Sequence, residues 1–300
     1  MKALALLCAL LITTPFAAAQ TASKPAVPNP LRVAAEAAYP PFSALGSDGK
    51  LKGFDIDIAN AVCAKLGVSC VFVQTEFDAM IPALRAKKFD VIVASMSITP
   101  ERLKAVDFSD KYYNTPARIA ARADAPFDGT PASLAGRKVG VQRTTIHDRY
   151  ATANFKGAQI VRYSKQDEVF LDLISGRIDA TLADSVAINE GLLKTPAGKP
   201  FALRGPLYDD PAVFGVGVGI AMRKGDTALR LAVNQALATI RADGTYKKIN
   251  DRYFDFDLYG KPDEPAKAAP MSAPTAARKS APTAAPAAAA KPATKPATQQ

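Results

Sequence analysis

The stretch ASMSITPER occupies residues 94–102, directly after a short apolar run that predicts a buried strand. Thr99 is a favourable N-cap for a following helix. Arg102 then falls in the first helical turn, where a cation opposes the helix dipole at a cost of about 0.3–1 kcal/mol. A bound anion would offset that cost, because free backbone N–H groups, the hydroxyls of Ser95 and Ser97 and a guanidinium together form a carboxylate clamp. The alternative is an ordinary strand-to-helix turn with a surface arginine.

Short apolar segments alternate with helical patterns along the rest of the chain. Strands are predicted at residues 31–34, 71–73, 89–93, 138–141, 159–161, 178–182 and 216–221, with helical patterns between them. This alternation predicts an α/β fold with parallel sheets that are covered by helices on both faces. Such sheets bind ligands at the carboxyl ends of their strands. Ser95, Ser97 and Asp184 all follow predicted strand ends, so we expect them at a ligand site.

Two aromatic residues add to this set. Tyr39 follows the first predicted strand, and Phe77 precedes a predicted helix. Their rings could enclose a ligand side chain, while Asp184 would accept hydrogen bonds from an ammonium group. The alternative is that Tyr39 and Phe77 are core residues and that Asp184 caps the helix that follows it.

The N-terminus has the pattern of a secretory signal peptide over residues 1–19. Lys2 provides the positive start, residues 3–12 are apolar, and three alanines at residues 17–19 form a cleavage site. The apolar run is too short to span a membrane. A lipoprotein signal at Cys8 is disfavoured, because that cysteine lies too early. We therefore expect export to the periplasm.

Only Cys63 and Cys70 remain after cleavage of the signal peptide. In an exported protein two remaining cysteines favour a disulfide, and this one would join a helix end to the next strand. Two buried free thiols are the alternative.

The C-terminal residues 261–300 are mostly alanine, proline and lysine, without an aromatic residue. This composition predicts a disordered or polyproline-II tail. The chain has a net charge of +10, from 38 basic and 28 acidic residues. No stripe of arginine and lysine with interleaved aromatics occurs in the sequence, so nucleic acid is not an expected partner.

Several short motifs occur along the chain in an order that is specific to one protein family. They are AYPPF (38–42), GFDID (53–57), FDAMIP (77–82), SITPER (97–102), VGVQ (139–142), GRIDA (176–180) and DGTY (243–246). Together they resemble the polar amino-acid-binding proteins of bacterial ABC importers, which are solute-binding proteins of family 3. The resemblance covers residues 31–260 and is greatest to the branch that binds lysine, arginine, ornithine or histidine.

The resemblance implies a two-lobed α/β fold, the type II periplasmic binding protein fold. Each lobe would have a mostly parallel sheet flanked by helices, and a two-segment hinge near residues 117–120 and 216–220 would join the lobes. The implied divisions are an N-terminal linker at 20–30, lobe one at 31–115 and 219–260, and lobe two at 118–212. The branch also has a disulfide that corresponds to Cys63 and Cys70.

The resemblance also implies roles for single residues. Arg102, Ser97 and Ser95 match the contacts of the ligand α-carboxylate, and Asp184 matches the partner of the α-ammonium. The remaining matched positions are Tyr39 and Phe77 as aromatic walls, Glu36 with help from Asp55 for a distal cation, and Thr145, Ile146 and His147 as the loop that closes over the carboxylate.

The chain departs from the family pattern at the closing loop and in the side-chain pocket. Thr144 stands where relatives usually have glycine, so it would be strained if the position requires a positive φ. Ile146 stands where relatives often have threonine. Ala94 and Gln142 replace a hydroxyl residue and an apolar residue at the side-chain end of the pocket.

These observations predict a monomeric periplasmic protein that captures a basic amino acid and delivers it to a membrane permease, with no cofactor and no metal. An alternative is an exported enzyme that resembles the cyclohexadienyl dehydratases, in which Glu36 or His147 would be the general acid. A ligand-sensing domain is a further alternative, although the sequence shows neither an anchor nor a signalling domain.

Overall fold

The computed structural model describes residues 27–260 and contains two five-stranded sheets and one small sheet. The predicted signal peptide, Cys8, most of the predicted linker and the predicted C-terminal tail lie outside the described residues. The predicted lobe boundaries remain predictions.

The first sheet has the strand order β5-β1-β6-β13-β7. Its strands are β1 (Leu31–Ala35), β5 (Cys70–Gln74), β6 (Val91–Ile92), β7 (Val106–Tyr113) and β13 (Val218–Arg223). Strand β1 pairs in parallel with β5 and β6, whereas β13 runs antiparallel to both β6 and β7.

The second sheet has the order β10-β9-β11-β8-β12. Its strands are β8 (Ala117–Arg122), β9 (Lys138–Gln142), β10 (Gln159–Tyr163), β11 (Ala180–Asp184) and β12 (Phe201–Tyr208). Strand β9 pairs in parallel with β10 and β11, and β8 runs antiparallel to β11 and β12. A small antiparallel sheet consists of β2 (Ala38–Tyr39), β3 (Ser43–Leu45) and β4 (Leu51–Lys52).

Both large sheets are therefore mixed, with one strand in each that opposes its neighbours. The opposing strands, β8 and β13, are the first strands that the chain forms after it crosses from the other sheet. A strand that follows a crossing begins at the edge of its sheet that faces the other sheet. A strand that follows a helical crossover begins at the opposite edge and therefore runs the other way. The alternation of strands and helices in the sequence predicted only strands that follow a helical crossover.

Helices cover the sheets. They are α1 (Phe54–Leu66), α2 (Phe77–Arg85), α3 (Arg102–Ala105), α4 (Ile146–Asn154), α5 (Gln166–Ile174), α6 (Ser185–Ile188), α7 (Pro211–Phe214), α8 (Thr227–Ala242) and α9 (Thr245–Tyr253). A π-helical segment at Asn189–Leu193 and a 3₁₀ turn at Pro196–Gly198 follow α6. Within residues 27–260, no helix has the length and apolar character needed to cross a membrane.

The core of the first sheet is built by an amphipathic face of α8. Leu229, Val233, Leu237 and Ile240 are buried at helical spacing and belong to the same apolar cluster as residues of β1 and α1. The α6 residue Val186 also belongs to this cluster, although α6 directly follows a strand of the second sheet. The two sheet units are therefore in contact.

Two segments, residues 114–116 and 209–217, connect the two sheets. Strand β8 begins at Ala117 and β13 at Val218, so the hinge predicted near residues 117–120 and 216–220 overlaps the starts of these two strands. Gly215 has a φ of 86°, and a Cβ there would lie 2.3 Å from the carbonyl oxygen of Ile98. This close approach requires glycine in the second crossing.

The predicted disulfide is confirmed. Cys63 near the end of α1 is bonded to Cys70 at the start of β5, with their Cα atoms 5.9 Å apart. Gly67 ends α1 in the left-handed conformation with a φ of 71°, which turns the chain back towards β5.

Candidate ligand-binding site

A cavity lies where strands of both sheets end. Its lining residues follow β1, β6 and β9 or end β11, so the carboxyl edges of two parallel strand sets face each other across it. The residues that line the cavity are Glu36, Tyr39, Phe77, Ala94, Ser95, Ser97, Arg102, Gln142, Thr145, Ile146, His147 and Asp184. All the predicted ligand-binding residues except Asp55 are among them.

Arg102 supplies a buried cation at one end of the cavity. Helix α3 begins at Arg102 itself, two residues later than the predicted start, and Thr99 Oγ1 still accepts a hydrogen bond from the Arg102 N–H at 3.2 Å. Arg102 Nη1 donates to the Ser97 carbonyl at 3.0 Å, and the guanidinium carbon lies 5.3 Å from the centre of the Phe77 ring. Burial lowers the pKa of Arg102 to about 10, so it remains charged at neutral pH. No acidic side chain among residues 27–260 forms an ion pair with it.

The loop after β9 borders the same end. Thr145 caps α4: its Oγ1 accepts from the Asp148 N–H at 3.1 Å and donates to the Gln142 carbonyl at 2.7 Å. Thr144 has a φ of 64°, so this position does require the left-handed conformation, which is strained for threonine. Burial, and secondarily the charge of Arg102, lowers the pKa of His147 to about 3, so its imidazole is neutral at physiological pH.

Asp184 provides a buried carboxylate on another side of the cavity. It ends β11 and caps α6, with Oδ1 accepting from the Val186 N–H at 3.3 Å. Its Oδ2 accepts a hydrogen bond from the hydroxyl of Thr115, which lies in the first crossing segment. Burial raises the pKa of Asp184 to about 6, against the effect of these two donors. Thr115 carried no motif that sequence reasoning could have recognised.

Glu36 and Gln142 form another part of the cavity wall. Gln142 Nε2 donates to Glu36 Oε1 at 2.6 Å and to the Ser164 carbonyl at 3.1 Å. Burial raises the pKa of Glu36 to about 8, and the hydrogen bond from Gln142 opposes this shift only in part. Tyr39, also on the wall, stacks on Phe42 with ring centres 5.9 Å apart.

Asp55 is not among the residues that line the cavity, and its role towards a distal cation stays a prediction. It is fully buried in α1 and accepts from the backbone N–H and the hydroxyl of Ser95, at 2.7 and 3.1 Å. Its other oxygen accepts from the Tyr112 hydroxyl at 2.8 Å, and Tyr113 donates to Ser95 Oγ at 2.6 Å. Ser95 has a φ of 51°, so Asp55 and the tyrosines hold a strained turn on the cavity wall.

Charged residues also meet across the mouth of the cleft. Three ion pairs, named the rim pairs below, join acids that flank or lie in α2 and α3 to bases from the second sheet unit. They are Glu76–Lys165 at 3.5 Å, Asp78–Arg143 at 2.6 Å and Glu101–Arg149. All three pairs are at least partly exposed, so each contributes little stability on its own.

A group of three or more metal-ligating side chains is not found among residues 27–260. The cavity instead offers one cation, two buried carboxylates, hydroxyls and a neutral imidazole. This set can bind a polar molecule that carries both signs of charge, because each buried charge needs an opposite partner.

Comparison with known proteins agrees with this geometry. The model of the bacterial extracellular solute-binding proteins, family 3, matches residues 31–256. The chain belongs to this family. It is 49% identical to the L-arginine-binding protein of Pseudomonas aeruginosa over 262 residues, which cover 87% of this chain and 99% of that protein. It is 43% identical to the histidine-binding periplasmic protein of Salmonella typhimurium, over 87% of this chain and all of that protein.

The fold comparison gives the same result. A solved periplasmic binding protein of Salmonella typhimurium, described as having high arginine specificity, superposes with a TM-score of 0.71 at 36% identity. The match covers 76% of this chain and 100% of that one. The expected α/β periplasmic binding protein fold and the expected resemblance to arginine- and histidine-binding proteins are both confirmed. These relatives are binding proteins, which speaks against the enzyme alternative.

The buried carboxyl group of Glu36 leads to a prediction for the stability of the ligand-free protein. The raised pKa of Glu36, about 8 against an ordinary 4.5, means that the folded chain holds a proton which the unfolded chain has lost. The stability contribution of this group is complete below pH 4.5 and disappears as the pH rises through 8. Glu36→Gln should therefore be more stable than the unsubstituted protein, by a margin that grows by up to about 1.4 kcal/mol per pH unit between pH 5 and 8.

Urea unfolding of both proteins at each pH unit from 5 to 9 measures this margin. Glu190→Gln is a matched control, because Glu190 pairs with Lys194 in α-helical spacing and does not line the cavity. A margin that is constant with pH would contradict the prediction.

Proposed function

We propose that this protein captures a basic L-amino acid (arginine, lysine, ornithine or histidine) between two closing lobes. The observation that carries the proposal is the charge set of one buried cavity: Arg102 at one end, and the carboxylates of Asp184 and Glu36 elsewhere on its wall. Arginine, lysine and ornithine carry one negative and two positive charges, as histidine does when its imidazole is protonated, so each of these charges has one opposite partner. A neutral amino acid would leave Glu36 without a positively charged partner.

The proposed roles follow from the chemistry of each group. Arg102 offers a fork of N–H donors to the α-carboxylate, together with Ser97, Ser95 and the loop at residues 145–147. Asp184 only accepts hydrogen bonds when ionised, which suits an ammonium with three donors. Tyr39 and Phe77 would contact the side chain, where a cation near an aromatic face gains on the order of 0.5–2 kcal/mol.

The relatives support the ligand class, since two of them are named for binding arginine and histidine. Their family also supports delivery of the ligand to the permease of an ABC importer and a periplasmic location. The predicted signal peptide at residues 1–19, which would direct export, is part of the same proposal.

A thermal-shift screen of refolded, ligand-free protein tests the proposal. An external dye is suitable because the chain has no tryptophan. The ligands are arginine, lysine, ornithine, histidine, glutamine and prephenate. A basic amino acid at 1,000 times its Kd should raise the free energy of unfolding by about 4 kcal/mol. No shift with any basic amino acid, or turnover of prephenate, would overturn the proposal.

A further inference from the structure

The hydrogen bond between Glu36 and Gln142 joins the two sheet units inside the cavity. Glu36 directly follows β1 in the first sheet, and Gln142 ends β9 in the second. The donor and acceptor are 2.6 Å apart, and both side chains are almost completely buried, with exposed fractions of 2% and 4% for Gln142 and Glu36. A contact of this kind forms only when the two edges are close together.

The surroundings determine which way the Gln142 amide faces. Glu36 Oε1 and the Ser164 carbonyl both accept hydrogen bonds, and both lie against the same end of the amide. The NH₂ group must occupy that end, because an amide oxygen there would face two acceptors. The backbone of Gln142 is held as well, since its carbonyl accepts from Thr145 Oγ1 at 2.7 Å.

The side-chain end of the cavity therefore offers acceptors. Both N–H groups of Gln142 are in use, and Gln142 lines the cavity together with Glu36, so the amide oxygen is the polar atom of Gln142 that is left for a ligand. A guanidinium has five N–H donors in a planar fork, no acceptor, and weaker hydration than an ammonium, so it loses less when it is buried. An ammonium presents its three donors from a single nitrogen, and a neutral imidazole brings an unwanted acceptor.

We propose that Gln142 is a specificity-determining residue, which together with Glu36 forms a composite acceptor subsite for the guanidinium of arginine. The proposal rests on the proposed function and narrows it, from basic amino acids in general to a preference for arginine over lysine and histidine. Glu36 supplies the charge, and the amide oxygen of Gln142 supplies the second acceptor that a planar fork engages.

Calorimetry with arginine, lysine and histidine tests the proposal on the unsubstituted protein and on Gln142→Leu and Gln142→Met. The unsubstituted protein should bind arginine at least tenfold more tightly than lysine. Both variants should lose at least tenfold in arginine affinity and less than threefold in lysine affinity, as expected for one hydrogen bond to a charged group. The Ser164 carbonyl and Glu36 Oε1 both lose a donor in these variants, and this loss is the same whichever ligand is bound.

The outcomes separate this inference from the proposed function. If the unsubstituted protein binds no basic amino acid, the proposed function fails. If it binds basic amino acids but prefers lysine or histidine, or if the variants weaken arginine and lysine equally, only the role of Gln142 is overturned. The preference of the unsubstituted protein is measurable even if neither variant folds.

Discussion

Arg102→Ala is expected to abolish ligand binding. Arg102 lies almost completely buried at the cavity wall, and among the described residues no acid pairs with it. Without the guanidinium, the α-carboxylate of a bound amino acid would be desolvated and unpaired. Removing one partner of a buried charge pair costs about 3–5 kcal/mol, which corresponds to a Kd increase on the order of 10²–10⁴. Calorimetry with arginine measures the effect.

Two further variants test whether the loss of affinity comes from the guanidinium of Arg102. Arg122→Ala is a matched control, because Arg122 is exposed and pairs with Asp124 on the surface. Its removal should change affinity less than twofold. Arg102→Lys keeps the charge but loses the fork, and an intermediate affinity is expected. Near-normal binding by Arg102→Ala would refute the clamp.

Glu36→Gln is expected to weaken cationic ligands selectively. The substitution keeps the shape of the side chain and an oxygen that can accept from Gln142 Nε2, but it removes the charge that a distal cation requires. Arginine affinity should fall by about 2–5 kcal/mol, the usual cost of truncating one member of a buried charge pair. Glutamine, which carries no distal charge, should change less than threefold.

The pH dependence of binding gives an independent check on the same group. Burial raises the pKa of Glu36 to about 8, so a cationic ligand must displace a proton from it at neutral pH. Arginine affinity should rise between pH 6 and 8 in the unsubstituted protein. Glu36→Gln should not show this rise. Equal losses for arginine and glutamine, or an unchanged pH profile, would remove Glu36 from the side-chain subsite.

Much of the cavity wall could be predicted because its residues sit in short turns after apolar strands. Arg102 and Asp184 are examples, since each follows a recognisable strand pattern by only a few residues. Three strands of the two large sheets had no such pattern: β7, β8 and β12. Strand β7 reads VDFSDKYY and β12 reads FALRGPLY, with charged and small residues among the apolar ones. Their pairing partners, which are distant in sequence, make them strands.

The contacts across the cleft were also beyond sequence reasoning. Glu36 and Gln142 are 106 positions apart and meet only because two sheets face each other. The contacts of Asp55 could not be predicted for a similar reason. Its motif placed it near the ligand, but the left-handed turn at Ser95 directs the backbone N–H of that residue onto the Asp55 carboxylate. Local pattern shows which residues reach a site, but not which of them support a neighbour.

The rim pairs affect the distribution of charge on the surface that other molecules meet. Every acid of the three pairs belongs to the side of the first sheet, and every base to the side of the second. In the described arrangement the charges cancel across the mouth. Separation of the two edges would create a negative strip opposite a positive one, and therefore a local electric dipole. A charged molecule that approaches this face would meet a neutral rim in the described arrangement and a polarised rim after separation, a difference that dissolved salt would reduce.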